Sequence, residues 1–160
     1  MERYHKIMKH HTFIEYVNRI EQVEKDRIYC RHNIGHLLDV ARIGYLHILE
    51  EGLPIEKDLF YAAALLHDIG KVDQYVKKIP HEIGGAEIAA EVLKDCGYEK
   101  EEIEMIRQAI LRHRRGDHQE ENILADTLYR ADKESRLCMF CKVSDSCNWT
   151  KEEKNDTLLF

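Results

Sequence analysis

Two prolines, Pro54 and Pro80, are the only ones in 160 residues. Proline breaks a helix interior, so the chain is left with long segments free to be helical. In those segments apolar residues recur three and four apart, the spacing of one helical face. Strand-like alternation is scarce. The pattern predicts an all-α protein, a bundle of about six helices. The first, about 10–25, would bury Phe13, Val17, Ile20 and Val23 or Glu24. The second, 32–51, has Ile34, Leu37, Leu38, Ala41, Tyr45, Ile48 and Leu49 as core candidates, with Gly52 placed to end it at positive φ. A third opens at Pro54, carries Glu56 and Asp58 in its first turn, and runs through Leu59, Ala62, Ala63, Leu65 and Leu66 to His67-Asp68 and a bend at Gly70. Residues 72–82 read as a loop. The fourth helix, 83–95, stops near Gly97, and Gly84-Gly85 permit close backbone approach near its start. The fifth begins near Lys100, uses Ile103, Ile106, Ile110 and Met105, and ends near His113. The sixth, 121–135, uses Ile123, Leu124, Leu128 and Ala131. The length suits one domain, read here as 1–137, with a cysteine-bearing tail, 138–160, packed on it.

The formal net charge of −6 argues against nonspecific binding to a nucleic-acid backbone, so nucleic acid is not the expected partner. The local run Arg112, His113, Arg114, Arg115 is the exception. No stretch approaches the 18 or so apolar residues of a membrane span, and MERYHKIMKHHTF lacks a signal-peptide core. The expectation is therefore a cytoplasmic protein without a membrane partner. Its oligomeric state is not readable. Five cysteines then read as reduced thiols or metal ligands.

Ten histidines raise a metal question. His32 and His36 share one face of the second helix, and His36 and Val40, four apart, lie near its buried stripe. His67-Asp68 ends the third helix, where adjacent side chains can converge on one ion. His81 and His113 stand near the ends of other elements, and Asp132 follows the buried Leu128 and Ala131. Each has a plainer reading. His36 or His32 could be a core-edge histidine, Asp68 a local cap, Asp132 half of a surface ion pair, and Lys71 a lysine beyond a bend. Imidazole and carboxylate together suit Mn, Fe, Co, Ni or Zn.

The segments RHNIGHLLDVA (31–41), LLHDIGK (65–71), HEIGGAEIA (81–89), AILRHR (109–114) and LYRADK (128–133) occur in an order that resembles the HD-domain superfamily of metal-dependent phosphohydrolases, in its HDIG form. The resemblance covers about residues 25–135. It implies an HD-domain-like helical bundle with a metal held by His36, His67, Asp68 and Asp132. His36 is preferred to His32 because the motif histidine precedes an apolar residue four positions on, here Val40. His81 and His113 match the further histidines of two-metal members, in which Asp68 would bridge. The signature of the cyclic dinucleotide-degrading branch is absent.

The resemblance implies a phosphohydrolase acting on a small phosphorylated metabolite or nucleotide. Bound metal would lower the pKa of water and neutralise phosphate oxygens. Asp68, Lys71 and His81 are the candidate catalytic residues. His32, Arg112 and Arg115 are candidates to bind an anionic substrate, although cations also suit a helix C-terminus. Two other readings stand beside it. One is a noncatalytic metal-bound module that senses a nucleotide or docks a protein; the other is a di-iron oxygenase of the broader superfamily. In the tail, Cys138-x2-Cys141 with Cys147 and Cys30 is a candidate second metal site, for structural zinc or an iron–sulfur centre. The plainer reading there is free thiols, with Met139, Phe140 and Trp149 covering the bundle.

Overall fold

The computed structural model describes residues 2–113 and 122–158. Among these residues there are eight α-helices and no strand: α1 (Tyr4–Ile7), α2 (His11–Val23), α3 (Ile34–Glu51), α4 (Lys57–Leu66), α5 (Lys71–Lys77), α6 (His81–Cys96), α7 (Lys100–Arg112) and α8 (Ile123–Glu134). Two 3-10 turns follow, Cys138–Phe140 and Ser144–Ser146. The all-α helical bundle read from the periodicity is present, with two more helices than expected. One is the short α1. The other is α5, which replaces most of the predicted 72–82 loop. Its seven residues are too few to show a period, and Val76 faces solvent while Val72 and Asp73 are buried. It stops at Lys78, which takes the left-handed conformation (φ 61°).

Helix α4 lies at the centre, because its face is alanine-rich and its neighbours can approach closely. Phe60, Ala62, Ala63, Ala64, Leu65 and Leu66 are all buried, and α4 packs on α1, α3, α6, α7 and α8. Helix α3 also packs on α8, and α6 on α7. Where α3 crosses α4, a Cβ on Gly44 would sit 2.1 Å from the Phe60 ring, so the ring occupies the space that glycine leaves. Arg3 ties α1 to the bundle through Glu102 (2.6 Å) and Asp58 (2.8 Å).

The core stripes follow the predicted spacing with local exceptions. In α2 the stripe continues to Glu24, which is buried, while Val23 is exposed. Leu49, Met105 and Ile123 also face solvent. Gly52 and Gly97 end α3 and α6 in the left-handed conformation. Pro54 lies before α4, whose cap is Glu56 rather than a residue of the first turn.

One end of this bundle gathers chemistry. Asn33 caps α3 by accepting the His36 N–H (3.0 Å), which fixes His36 in the first turn. His67 is the C-cap of α4, His81 the first residue of α6, His113 the C-cap of α7, and Asp132 lies in the last turn of α8. Between α4 and α5 the chain tightens through the Ile69 N–H to Leu66 C=O and Lys71 N–H to Asp68 C=O bonds, so His67 and Asp68 no longer diverge as helical neighbours would.

Candidate metal centre

Asp68 is the hub. Its Oδ2 lies 3.5 Å from His36 Nε2 and 3.1 Å from His67 Nε2. Asp132 Oδ1 completes that side, 3.1 Å from His36 Nε2 and 3.8 Å from His67 Nε2. The other oxygen, Oδ1, lies 3.3 Å from His81 Nε2 and 3.8 Å from His113 Nε2. Two donor sets therefore share one carboxylate: His36, His67, Asp68 and Asp132, and Asp68, His81 and His113, each with ligand atoms within 4.8 Å of one another. All these side chains are buried except that of Asp132, which is partly exposed.

The histidines are oriented by their far nitrogens. His67 Nδ1 donates to Ala64 C=O (2.7 Å), His113 Nδ1 to Ile110 C=O (2.5 Å) and His81 Nδ1 to Gln74 Oε1 (2.5 Å). Ser135 Oγ, whose own hydrogen goes to Asp132 C=O, accepts from His36 Nδ1 at 3.2 Å. A carbonyl can only accept, so Nδ1 carries a proton, and where the ring is neutral Nε2 turns a lone pair toward Asp68. This is the arrangement in which outer partners orient metal-ligating histidines. His81 Nε2 and His113 Nε2 lie 3.1 Å apart, and two such lone pairs repel unless a cation stands between them.

The fit to a cation rests on buried groups left without a partner. His67 Nε2 and Asp68 Oδ2 are buried and accept or donate no hydrogen bond, a costly state for a polar atom. Burial opposes charge on both groups. Asp68 and Asp132 nonetheless hold His67 protonated, with its pKa up at about 10, and His67 and Lys71 keep Asp68 well below the usual carboxylate range. Asp132 is likewise lowered against its burial, by His36 and His67. The site demands positive charge, and a divalent ion satisfies both orphaned atoms at once. Imidazole with carboxylate suits the first-row divalent metals.

Above the centre opens a cavity of about 390 Å³. His32, Lys71, Arg27, Tyr75, Lys133 and Arg136 are among the residues lining it. Lys71 Nζ lies 3.7 Å from Asp68 Oδ1, and His32 Nε2 lies 4.0 Å from Asp68 Oδ2. Arg136 reaches His36 Nε2 at 3.1 Å. Arg112 is exposed and is not among the residues lining the cavity. Arg114 and Arg115 lie outside the described residues. The cations that face the centre come instead from α5, α8 and the segments beside them.

Sequence reasoning missed Glu24. It is buried, accepts from the His32 backbone N–H (2.8 Å), from His32 Nδ1 (2.5 Å) and from the Tyr75 hydroxyl (2.7 Å). Burial raises a carboxyl, but His32 and these donors bring Glu24 down to about 2. Burial lowers His32 despite Glu24, so the ring is neutral with Nε2 free toward the cavity. The signal was available, since Glu24 stands four residues beyond Ile20 on the buried stripe. Ser135 and Arg136 gave no signal, because only the turn after α8 carries them to His36.

The four candidate tail ligands Cys30, Cys138, Cys141 and Cys147 are free thiols. Among the described residues the donor sets within 4.8 Å of one another are the two His/Asp groups, and no three of these sulfurs come so close. No described helix is long and apolar enough to cross a membrane.

Comparison with known proteins agrees with this geometry. A protein of Clostridium beijerinckii, itself uncharacterised, is 50% identical over 155 residues, 97% of each chain. Ribonuclease Y of Mycoplasma mycoides is 35% identical over 82 residues, which are 51% of this chain and 19% of that enzyme. A solved structure described as a predicted HD superfamily hydrolase from an uncultured Thermotogales bacterium superposes with a TM-score of 0.64 at 23% identity, over 88% of this chain and 79% of that one. The model of the HD domain matches residues 33–148. The chain belongs to the HD-domain family.

Proposed function

We propose that this protein is a metal-dependent phosphohydrolase acting on a small phosphorylated metabolite or nucleotide. The observation that carries the reading is Asp68. Its two oxygens face separate histidine sets on the floor of a cavity edged by cations. The fold and the donor sets support a metal-dependent hydrolase of the HD type in general; the substrate class rests on the cavity.

His36, His67, Asp68 and Asp132 would hold one ion, and Asp68, His81 and His113 a second. Bound metal would supply an acidified water and neutralise phosphate oxygens near neutral pH. The chain's own groups do the rest. Lys71, half-buried beside Asp68, presents an ammonium where negative charge grows on a phosphate, and a fixed donor at such a point stabilises the transition state. Arg27, Lys133 and Arg136 draw an anion into the cavity. His32 holds its Nδ1 proton on Glu24 and can take up a proton at Nε2, within reach of the centre. The backbone carbonyls of Ala64 and Ile110 keep the ligand rings from turning.

The test is a substrate screen with protein loaded in turn with Mn, Fe, Co, Ni and Zn. Nucleoside mono-, di- and triphosphates, sugar phosphates, cyclic phosphodiesters and short RNA would be offered. Phosphate release that disappears in Asp68→Ala and falls at least tenfold in Lys71→Met supports the proposal. RNA cleavage without turnover of the small esters would instead favour a nuclease, a reading supported by the 82-residue likeness to ribonuclease Y. Ligand binding with no turnover under any metal would point to a sensing module.

A further inference from the structure

Four of the five cysteines surround a cavity that the hydrolytic site does not use. Cys30, Cys138, Cys141 and Cys147 line a space of about 190 Å³, and all four are partly buried and free. They come from two irregular stretches far apart in sequence, one between α2 and α3 and one after α8. Cys138 opens the first 3-10 turn, and the Cys141 N–H donates back to its carbonyl (3.1 Å). Cys147 closes the second turn in the same way, its N–H donating to Ser144 C=O (3.2 Å). Each turn thus ends by presenting a sulfur to the space that Cys30 enters from across the chain.

A second observation is independent of the sulfurs. No described residue from 132 to 158 is buried, and Phe140 is 75% exposed. The segment nevertheless takes a defined path. The Tyr29 hydroxyl donates to Ser146 C=O (3.1 Å), Lys154 Nζ to Ser144 C=O (2.7 Å), and Asn155 Nδ2 to Lys133 C=O (2.7 Å) and Arg136 C=O (2.8 Å). Ordering costs about 1–2 kcal/mol per residue of backbone, and a tail with no apolar core has little to offset it. Small segments of this kind are commonly held by a metal, whose binding energy becomes folding energy.

We propose that Cys30, Cys138, Cys141 and Cys147 together hold a soft-metal centre on four thiolates. The space is wide for a single zinc. Zn–S bonds of about 2.3 Å would bring the sulfurs to within about 4 Å of one another, whereas no three of them lie within 4.8 Å. The space of about 190 Å³ that all four help to line is better suited to an iron–sulfur cluster on four cysteines. Tyr29, Cys30, Cys147 and Trp149 line both this space and the larger cavity. The centre would therefore fix one wall of the hydrolytic site while taking no part in its chemistry.

The experiment is anaerobic, chelator-free purification of the full chain, with iron, acid-labile sulfide and zinc measured per chain and the visible spectrum recorded. Asp68→Ala and Cys138→Ser/Cys141→Ser would run in parallel. The expected result is about four irons and four sulfides per chain, kept in Asp68→Ala and lost in the cysteine variant. One zinc with the same dependence keeps the four-thiolate site and overturns the cluster. Because the cysteine variant could fold poorly, wild-type protein would also be reconstituted with Fe²⁺ and sulfide, or with Co²⁺, and its thiols titrated under native conditions. Thiolate-to-metal charge-transfer absorption with protection of four thiols supports the site. No such absorption, with the same thiols equally reactive before and after loading, overturns it.

Discussion

Gly70→Ala tests how the second donor set is built. Gly70 has an ordinary negative φ (−77°), so the glycine is not required by backbone conformation. It is required by contact. A Cβ there would lie 2.1 Å from the His81 carbonyl oxygen, 2.5 Å from Gly85 N and 2.9 Å from Gly85 Cα. All three are backbone atoms of α6, and none can swing aside as a side-chain tip would. The start of α6 must retreat by an ångström or more, carrying His81 away from Asp68, now 3.3 Å distant. Overpacking of this kind costs about 1–3 kcal/mol, and the backbone contacts place it in the upper half of that range. For a chain of this size that is a fall in Tm of about 4–12 °C. The internal control is Gly84→Ala. Its Cβ would meet only Asp73 Cβ and Oδ2 at 3.5 Å and Ile79 at 3.7 Å, so the better helix propensity of alanine should make it neutral or up to about 1 kcal/mol stabilising. Thermal denaturation followed by far-UV circular dichroism, with Mn²⁺ binding measured beside it, reads both effects. Gly70→Ala should melt early and lose the ion held by His81 and His113 before the other. A Gly70→Ala protein within a degree of wild type, with unchanged Mn²⁺ binding, would refute the close-approach argument.

The metal-free chain should show a pH dependence with a definite sign. The His67 pKa is raised from 6.5 to about 10, so the stability its proton confers is full below 6.5 and is lost as pH climbs through 10. Tm of chelator-treated protein should fall across that window and stay flatter when metal is bound. Metal uptake near pH 8 should release protons, seen as a buffer-dependent heat in calorimetry. Glu24→Gln should lower turnover about 10–100-fold, the usual effect of losing a group that orients a working histidine, while Mn²⁺ stoichiometry stays unchanged; a loss of metal instead would show that His32 is a ligand. Phe60→Ala removes the ring that fills the space over Gly44 and should cost about 3–5 kcal/mol, measured as a shift in urea midpoint with little change in slope.

The bundle was legible because its rules are local. Phe13, Val17 and Ile20, or Leu128 and Ala131, repeat at helical spacing whatever they pack against, and Gly52 and Gly97 mark ends that only glycine makes cheap. The set of donors that the fold gathers was legible for a different reason. Its histidines and aspartates sit at helix ends in segments whose order resembles a known family. What escaped was set by tertiary contact. Helix α5 is too short to carry a period, and only packing against α2 and α6 makes it helical. Glu24 reads as one more position of a buried stripe, and its role shows only when His32 and Tyr75 are placed around it. Arg112 reads as a substrate ligand until the structure leaves it exposed to solvent, while Arg27 and Arg136 reach the cavity from segments that carry no motif and Lys133 from the end of one.

Mn²⁺ binding tests the central claim most directly, because manganese prefers carboxylate and imidazole to thiolate and so counts the His/Asp centre alone. Titration of the chelator-stripped protein, followed by electron paramagnetic resonance, should reach two ions per chain with a spin-coupled signal. His81→Ala should leave one uncoupled ion, and Asp68→Ala none bound tightly. Two uncoupled ions, or wild-type stoichiometry surviving in Asp68→Ala, would contradict a centre built around the two oxygens of Asp68.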